Sequence, residues 1–382
     1  FNGNDSDANS LRPTFNIKDG IEKGNGIYTK KANLSIERSI FSIAGSNTAS
    51  KYNNGIFLDA GIGATNTNSI NNSTFTVNGE DSNNGILMKD GKVETNNDTF
   101  TVGGKKSNGI QVVAGSNELK DVKSNFTITG TDSNGIYAET GKLELEGTKM
   151  DVTAGSKNNG VIIKNPNSKT VTIKASGTDR ATFKVASNNN GVFITQGKTV
   201  GEISGTDFTV SGAGTGILVG DSLSTGTPSK ITKLTDVTFN VNGVDSANHT
   251  RTWNATNKKW VINTGGDDAG TGIYMHEGEV TTDGTVRMDG NGNDIFVTIN
   301  NQNNNKIVFG GNTTGLSDAN VILAGSRSTK ANNNIAFNFQ NGLANIAGNI
   351  EISNDSGKNG VDIAFYGDGN SAYKVNKFIK TY

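Results

Sequence analysis

A phrase built on Asn-Gly-Ile or Asn-Gly-Val recurs along the 382-residue chain and constrains its fold more than any other feature. Its glycines are Gly26, Gly55, Gly85, Gly109, Gly135, Gly160, Gly191, Gly216 and Gly272. They follow Asn25, Asn54, Asn84, Asn108, Asn134, Asn159 and Asn190, then Thr215 and Thr271, and successive spacings are 29, 30, 24, 26, 25, 31, 25 and 56 residues. A second anchor keeps step: Phe15, Phe41, Phe75, Phe100, Phe126, Phe183, Phe208 and Phe239, with Met150 in the slot after Phe126. A period of about 20 to 50 residues built from short strands and polar turns is that of a solenoid, whose unit buries its apolar side only by stacking on the next.

Residues 135–153 show how one unit is built. Gly-Ile-Tyr-Ala is a strand, Glu-Thr-Gly a turn, and Lys-Leu-Glu-Leu-Glu alternates strictly, so Leu143 and Leu145 face inward while Glu144 and Glu146 face out. A strand at Met150-Asp-Val152 closes the coil. The spacing predicts an all-β, right-handed, single-stranded parallel β-helix with three short strands in each coil of roughly 25 residues. Stacking brings like residues into register about 4.8 Å apart. The Asn before each Gly is therefore expected to form a side-chain hydrogen-bonded ladder, with the Gly at a positive-φ corner.

Composition agrees with a narrow core. Hydrophobic residues make up 32% of the chain, too few for one large globular interior at this length. There are 50 Gly and 3 Pro, so turns rest on residues that accept a left-handed backbone without removing ladder donors. With no Cys, disulfides and thiolate metal sites are excluded. Thirty-five basic and 36 acidic residues leave a net charge of −1 without a basic block, which argues against nucleic acid or an anionic membrane surface as a partner. No signal peptide, long apolar run or membrane-barrel pattern is apparent, so the chain reads as a soluble, processed or truncated piece.

The chain reads as one elongated β-helix over 1–382, less regular over 295–382, where Asn293-Asp294-Ile295 and Asn359-Gly360-Val361 take the anchor slot. The step of 56 residues holds an extra-helical insertion at 244–268. Within it, His249-Thr-Arg251-Thr-Trp253 and Lys258-Lys259-Trp260-Val-Ile262 flank an Asn-Ala-Thr-Asn turn and predict a β-hairpin. It holds both Trp of the protein, and Trp with Arg is the pairing enriched at binding hot spots. His249, Arg251, Trp253, Lys258, Lys259 and Trp260 are thus candidate ligand-binding residues, set against a structural reading in which the two Trp only hold the hairpin together. A second candidate surface is the residue after each Gly-Ile or Gly-Val: Tyr28, Phe57, Leu87, Gln111, Tyr137, Ile162, Phe193, Leu218 and Tyr274. Alternation sends this column outward, with Phe57, Tyr137 and Phe193 as its candidate ligand-binding members.

Motifs for chemistry are weak. Gly220-Asp221-Ser222-Leu223 matches a lipase nucleophile block over four residues only, and neither His249 nor His276 follows an Asp at the spacing such a triad uses. Asp289-Gly-Asn-Gly-Asn-Asp294 resembles a single calcium-binding nonapeptide, whereas such sites need tandem copies. The paired acids of a polysaccharide lyase or hydrolase are not evident, because Glu144 and Glu146 find no matching acid in the adjoining slot. No catalytic residue, metal or cofactor is therefore expected.

The phrases Phe75-Thr-Val77 and Asn84-Gly-Ile86, repeated over nearly the whole chain, resemble those of Gram-negative type V autotransporter passengers, in particular fusobacterial surface adhesins and passengers related to vacuolating toxins. That resemblance implies secretion through an outer-membrane barrel that this chain does not contain, display on the bacterial cell surface, and non-catalytic adhesion to a host cell-surface receptor or glycan. A carbohydrate-active β-helix, such as a lyase, hydrolase or phage tailspike, is the alternative from another class. A structural spacer without a ligand is the third.

Overall fold

The computed structural model describes residues 12–381 apart from loop segments, the longest being 46–51, 60–66, 165–170, 221–227, 243–249, 264–269, 300–305, 310–319, 325–332 and 354–360. The described residues form strands and turns without a helix. They make a parallel β-solenoid divided into two compact units, Phe1–Thr182 and Phe183–Tyr382.

In the first unit three columns of strands stack in parallel. One runs through Thr14–Ile17, Ile40–Ile43, Thr74–Val77, Thr99–Val102, Asn125–Ile128 and Lys149–Val152. Its inward aromatic rings lie flat on one another: Phe15 on Phe41 at 4.7 Å, Phe75 on Phe100 at 4.6 Å and Phe100 on Phe126 at 4.5 Å, with ring planes nearly parallel throughout. Met150 continues the column beside Phe126. The second column holds Asn25–Lys30, Asn54–Asp59, Asn84–Asp90, Asn108–Val112, Asn134–Ala138 and Asn159–Ile163. The third holds Ser35–Glu37, Thr67–Asn71, Lys92–Asn96, Glu118–Val122, Lys142–Glu146 and Val171–Lys174.

Side-chain amides knit the second column. Asn54 Nδ2 donates to Asn25 Oδ1 at 2.8 Å, Asn84 to Asn54 at 2.9 Å, Asn108 to Asn84 at 2.9 Å, Asn134 to Asn108 at 2.8 Å and Asn159 to Asn134 at 2.8 Å. Asn54, Asn84, Asn108 and Asn134 thus each donate to one neighbouring coil and accept from the other, and the side chains are buried from Asn54 onward. A second ladder stands immediately before it, at Asn53, Asn83, Ser107, Ser133 and Asn158. There the backbone N–H of one residue donates to the side-chain oxygen of the next, while the side chain itself donates to a carbonyl one coil back, that of Ile21 for Asn53 and of a glycine for the others, as Ser133 Oγ does to Gly104 O at 2.7 Å. The turn's buried polar groups are thus satisfied between coils.

The glycine of the repeated phrase does not supply the positive-φ corner, and that expectation is corrected. Left-handed conformations fall instead on Lys106, Asp132 and Lys157, two residues before the anchor Asn, and on Asn72, Asn97, Lys123 and Gly147 between the third and first columns. The repeated Gly is needed for close approach. A Cβ on Gly109 would stand 2.7 Å from the Gly135 carbonyl oxygen and 3.0 Å from the Phe126 ring, so the amide column passes the aromatic column with no room for a methyl group.

In the second unit Phe183, Phe208 and Phe239 stack at 4.9 and 5.1 Å. Thr215–Val219, Thr271–Met275 and Asn293–Ile299 pair in parallel. The register places Ile295 beside Thr271 and Val297 beside Ile273, so Ile295-Phe296-Val297 occupies the anchor slot and not Asn293-Asp294-Ile295. A two-residue shift leaves inward and outward positions unchanged, so alternation alone does not distinguish the two registers. Asn359 and Gly360 lie outside the described residues, and the strand resumes at Val361–Gly367 beside Asn333–Phe339.

Candidate functional site

Outward side chains differ by column. On the third column, from Lys92 to Lys174, many are charged and paired. Lys92 lies 3.2 Å from Glu118, Lys142 3.5 Å from Glu144, and Lys174 2.8 Å from Glu144 and 2.9 Å from Glu146. Register makes this a lattice, because Glu94, Lys120 and Glu144 are consecutive stack partners. The Lys174 ammonium pulls the Glu144 carboxyl below its ordinary range by hydrogen bonding, and Lys174 is itself pushed up by the two carboxylates. Lys174 thus draws Glu144 and Glu146 onto one ammonium, whose charge offsets theirs.

The second column carries mostly apolar residues outside as well, at the position after each inward Ile or Val. Ile56, Ile86, Ile110 and Ile136 are fully buried, and the residue after each faces the other way. Tyr28, Phe57, Leu87, Gln111, Tyr137 and Ile162 are consecutive stack partners. Tyr28 is 52% exposed, Phe57, Leu87, Gln111 and Tyr137 are half-buried, and Ile162 is buried. Tyr28 meets Phe57 edge to face at 5.3 Å, and Lys164 Nζ lies 5.1 Å from the Tyr137 ring centre. In the second unit Phe193, Leu218 and Tyr274 are stacked and half-buried, and burial pushes the Tyr274 hydroxyl up.

In the insertion, Thr250–Asn254 pairs antiparallel with Lys259–Asn263 as a separate two-stranded sheet. Trp253 stands opposite Trp260 and Arg251 opposite Ile262. Lys259 pairs with Asn254, while His249 and Lys258 lie outside the described residues. So do Asp221, Ser222 and Leu223 of the lipase-like block. Among the described residues no three His, Cys, Asp or Glu gather as metal ligands. An open recess of about 510 Å³ brings Asn78, Lys105, Thr129 and Thr131 together, and no acid lines it.

One cluster was not anticipated from the sequence. Asp121 sits at an inward position, stacked between Thr95 and Leu145, and is fully buried. Its carboxyl accepts from Thr95 Oγ1 at 2.7 Å and from Thr148 Oγ1, with Ser124 as a further partner. Asp98, also fully buried, occupies the adjoining corner and accepts the Ser73 N–H at 2.6 Å and the Asn96 N–H at 3.3 Å. The signal was present in the Glu118-Leu-Lys-Asp121-Val strand, whose alternation sends Asp121 to the same side as Leu119.

A stacked scaffold with one ion-paired face and one apolar-flanked face defines the class as parallel β-solenoid. No protein-family model and no curated protein matches the chain. A solved structure of a TibA fragment, residues 55–350, hyper-glycosylated by TibC, is 13% identical over 91% of this chain and 99% of that one, with a TM-score of 0.19. Likeness at that level assigns neither family nor function.

Proposed function

We propose that the chain is the surface-displayed, non-catalytic passenger of a Gram-negative autotransporter, an extracellular adhesin that engages a receptor or glycan on host or neighbouring cells. We read its solenoid as right-handed, the hand that twisted strands impose on parallel crossovers, with coils of roughly 25 residues. The observation that carries the functional reading is the outward column Tyr28, Phe57, Leu87, Gln111 and Tyr137, exposed or half-exposed over successive coils. A largely apolar stripe on an exposed face, broken at Gln111, suits a contact surface, and a net charge of −1 favours recognition that is mostly uncharged. The repeated Phe-Thr-Val and Asn-Gly-Ile phrases add their resemblance to such passengers.

The test substitutes Phe57→Lys, Tyr137→Lys and Phe193→Lys together and measures attachment of the purified protein to host cells and to a glycan array. Attachment is expected to fall while the far-ultraviolet circular dichroism spectrum stays unchanged. Undiminished attachment by the folded variant would remove the stripe as the contact surface.

A further inference from the structure

We propose that Asp98 and Asp121 form a proton-held latch in the wall of the first unit, closed while the pair retains a carboxyl proton and loosened when that proton leaves. Geometry carries the argument. Both side chains are fully buried, and the partners of Asp121 are the hydroxyl groups of Thr95, Thr148 and Ser124 together with the Ser124 backbone N–H, none of them a cation. Asp98 is held by the backbone N–H groups of Ser73 and Asn96, and its own N–H donates to Ser124 Oγ at 3.1 Å. Ser124 thereby touches both acids and joins them into one network.

The elements packed around the pair supply no compensating charge inside the wall. The inward residues there are Thr95, Phe100, Phe126, Leu119 and Leu145, all buried and uncharged. The charged groups of the same strands, Lys92, Glu94, Glu118, Lys120, Lys142, Glu144, Glu146, Lys149 and Asp151, lie at outward positions, where Lys92, Lys120 and Lys142 pair with carboxylates. Glu37 is the further acid whose charge reaches Asp98. An unpaired carboxylate in such a place is costly, so the neutral acid is favoured. Burial, opposed by the Ser73 N–H and assisted by the charge on Asp121, pushes Asp98 up to about 8, and burial pushes Asp121 up as well.

The folded state then holds a proton that the unfolded chain, with an ordinary value of 3.8, has already released. Stability from this network is therefore complete below about pH 4 and is lost as the pH rises through about 8. This is the reverse of a salt-bridged aspartate, and it makes the corner firmest in acid.

The full chain tests this by infrared spectroscopy and by denaturant unfolding at about pH 6 and about pH 9. A carbonyl band of protonated carboxyl is expected at the lower pH, fading at the higher, together with a lower unfolding midpoint. Asp98→Asn is isosteric with the neutral acid, so this variant should lose part of the band and be more stable than the parent at about pH 9. Asp121→Asn should behave alike. Absence of the band in the parent, a midpoint that does not fall with pH, or an Asp98→Asn variant less stable than the parent at the higher pH would each overturn the latch.

Discussion

At the scale of single residues, position along the stack decides what each side chain contributes. Asn134 donates to Asn108 and accepts from Asn159, and it is almost fully buried. Asn134→Ala strands both neighbours, so a loss of about 1–2 kcal/mol is expected from denaturant unfolding. Gly109 is constrained by space and not by backbone angle. Gly109→Ala drives a methyl group against the Gly135 carbonyl oxygen and the Phe126 ring, with an expected cost of about 1–3 kcal/mol by the same measurement. A neutral outcome would mean that the two columns separate freely. The amide column was legible because Asn recurs at one phase of a strong period. The reason for the glycine beside it was not, since a tight approach and a left-handed turn select the same residue. The second ladder, at Asn53, Asn83, Ser107, Ser133 and Asn158, was hidden because Asn and Ser do the same work there with different side chains.

At the scale of elements, the coils and the hairpin are separable. Thr215–Val219 pairs directly with Thr271–Met275, and Phe208 stacks on Phe239, so the ladder closes on either side of the insertion without help from it. Replacing residues 244–268 with a short linker is expected to leave the circular dichroism of the strands intact, and comparing attachment before and after assigns or removes a binding role for Trp253 and Trp260. Strand positions were readable wherever inward Phe, Ile and Leu alternate with polar residues. Alternation failed where it is silent by nature: it fixes the face but not a two-residue shift, as the pairing of Ile295 with Thr271 shows. The buried Asp121 escaped for a related reason, since an acid in an alternating strand is read as outward unless its phase is counted from Leu119.

At the scale of the whole molecule, each coil bonds to the coils beside it, so unfolding is expected to spread along a unit and not to occur as one concerted step. Both Trp residues lie in the hairpin strands, which makes their fluorescence a local reporter, whereas circular dichroism averages over every strand. The two signals should give different midpoints in one denaturant titration; coincident curves would indicate a single cooperative block. The apolar stripe, the ion-paired lattice and the latch all belong to stacks of this kind, and the column they stand on, with their outward or inward phase, distinguishes them.

The amide ladder has a consequence for inheritance. Asn84 reaches Asn54 over 30 residues of chain and Asn108 reaches Asn84 over 24, yet both bonds measure 2.9 Å. Chain length between rungs is thus free to drift while the rung itself stays fixed. Excising residues 84–107 would set Asn108 against Asn54 through the same amide contact, and the shortened protein is expected to keep the strand signature of its parent. Copying or losing a whole rung by recombination therefore changes the reach of the molecule without asking any surviving contact to be reinvented.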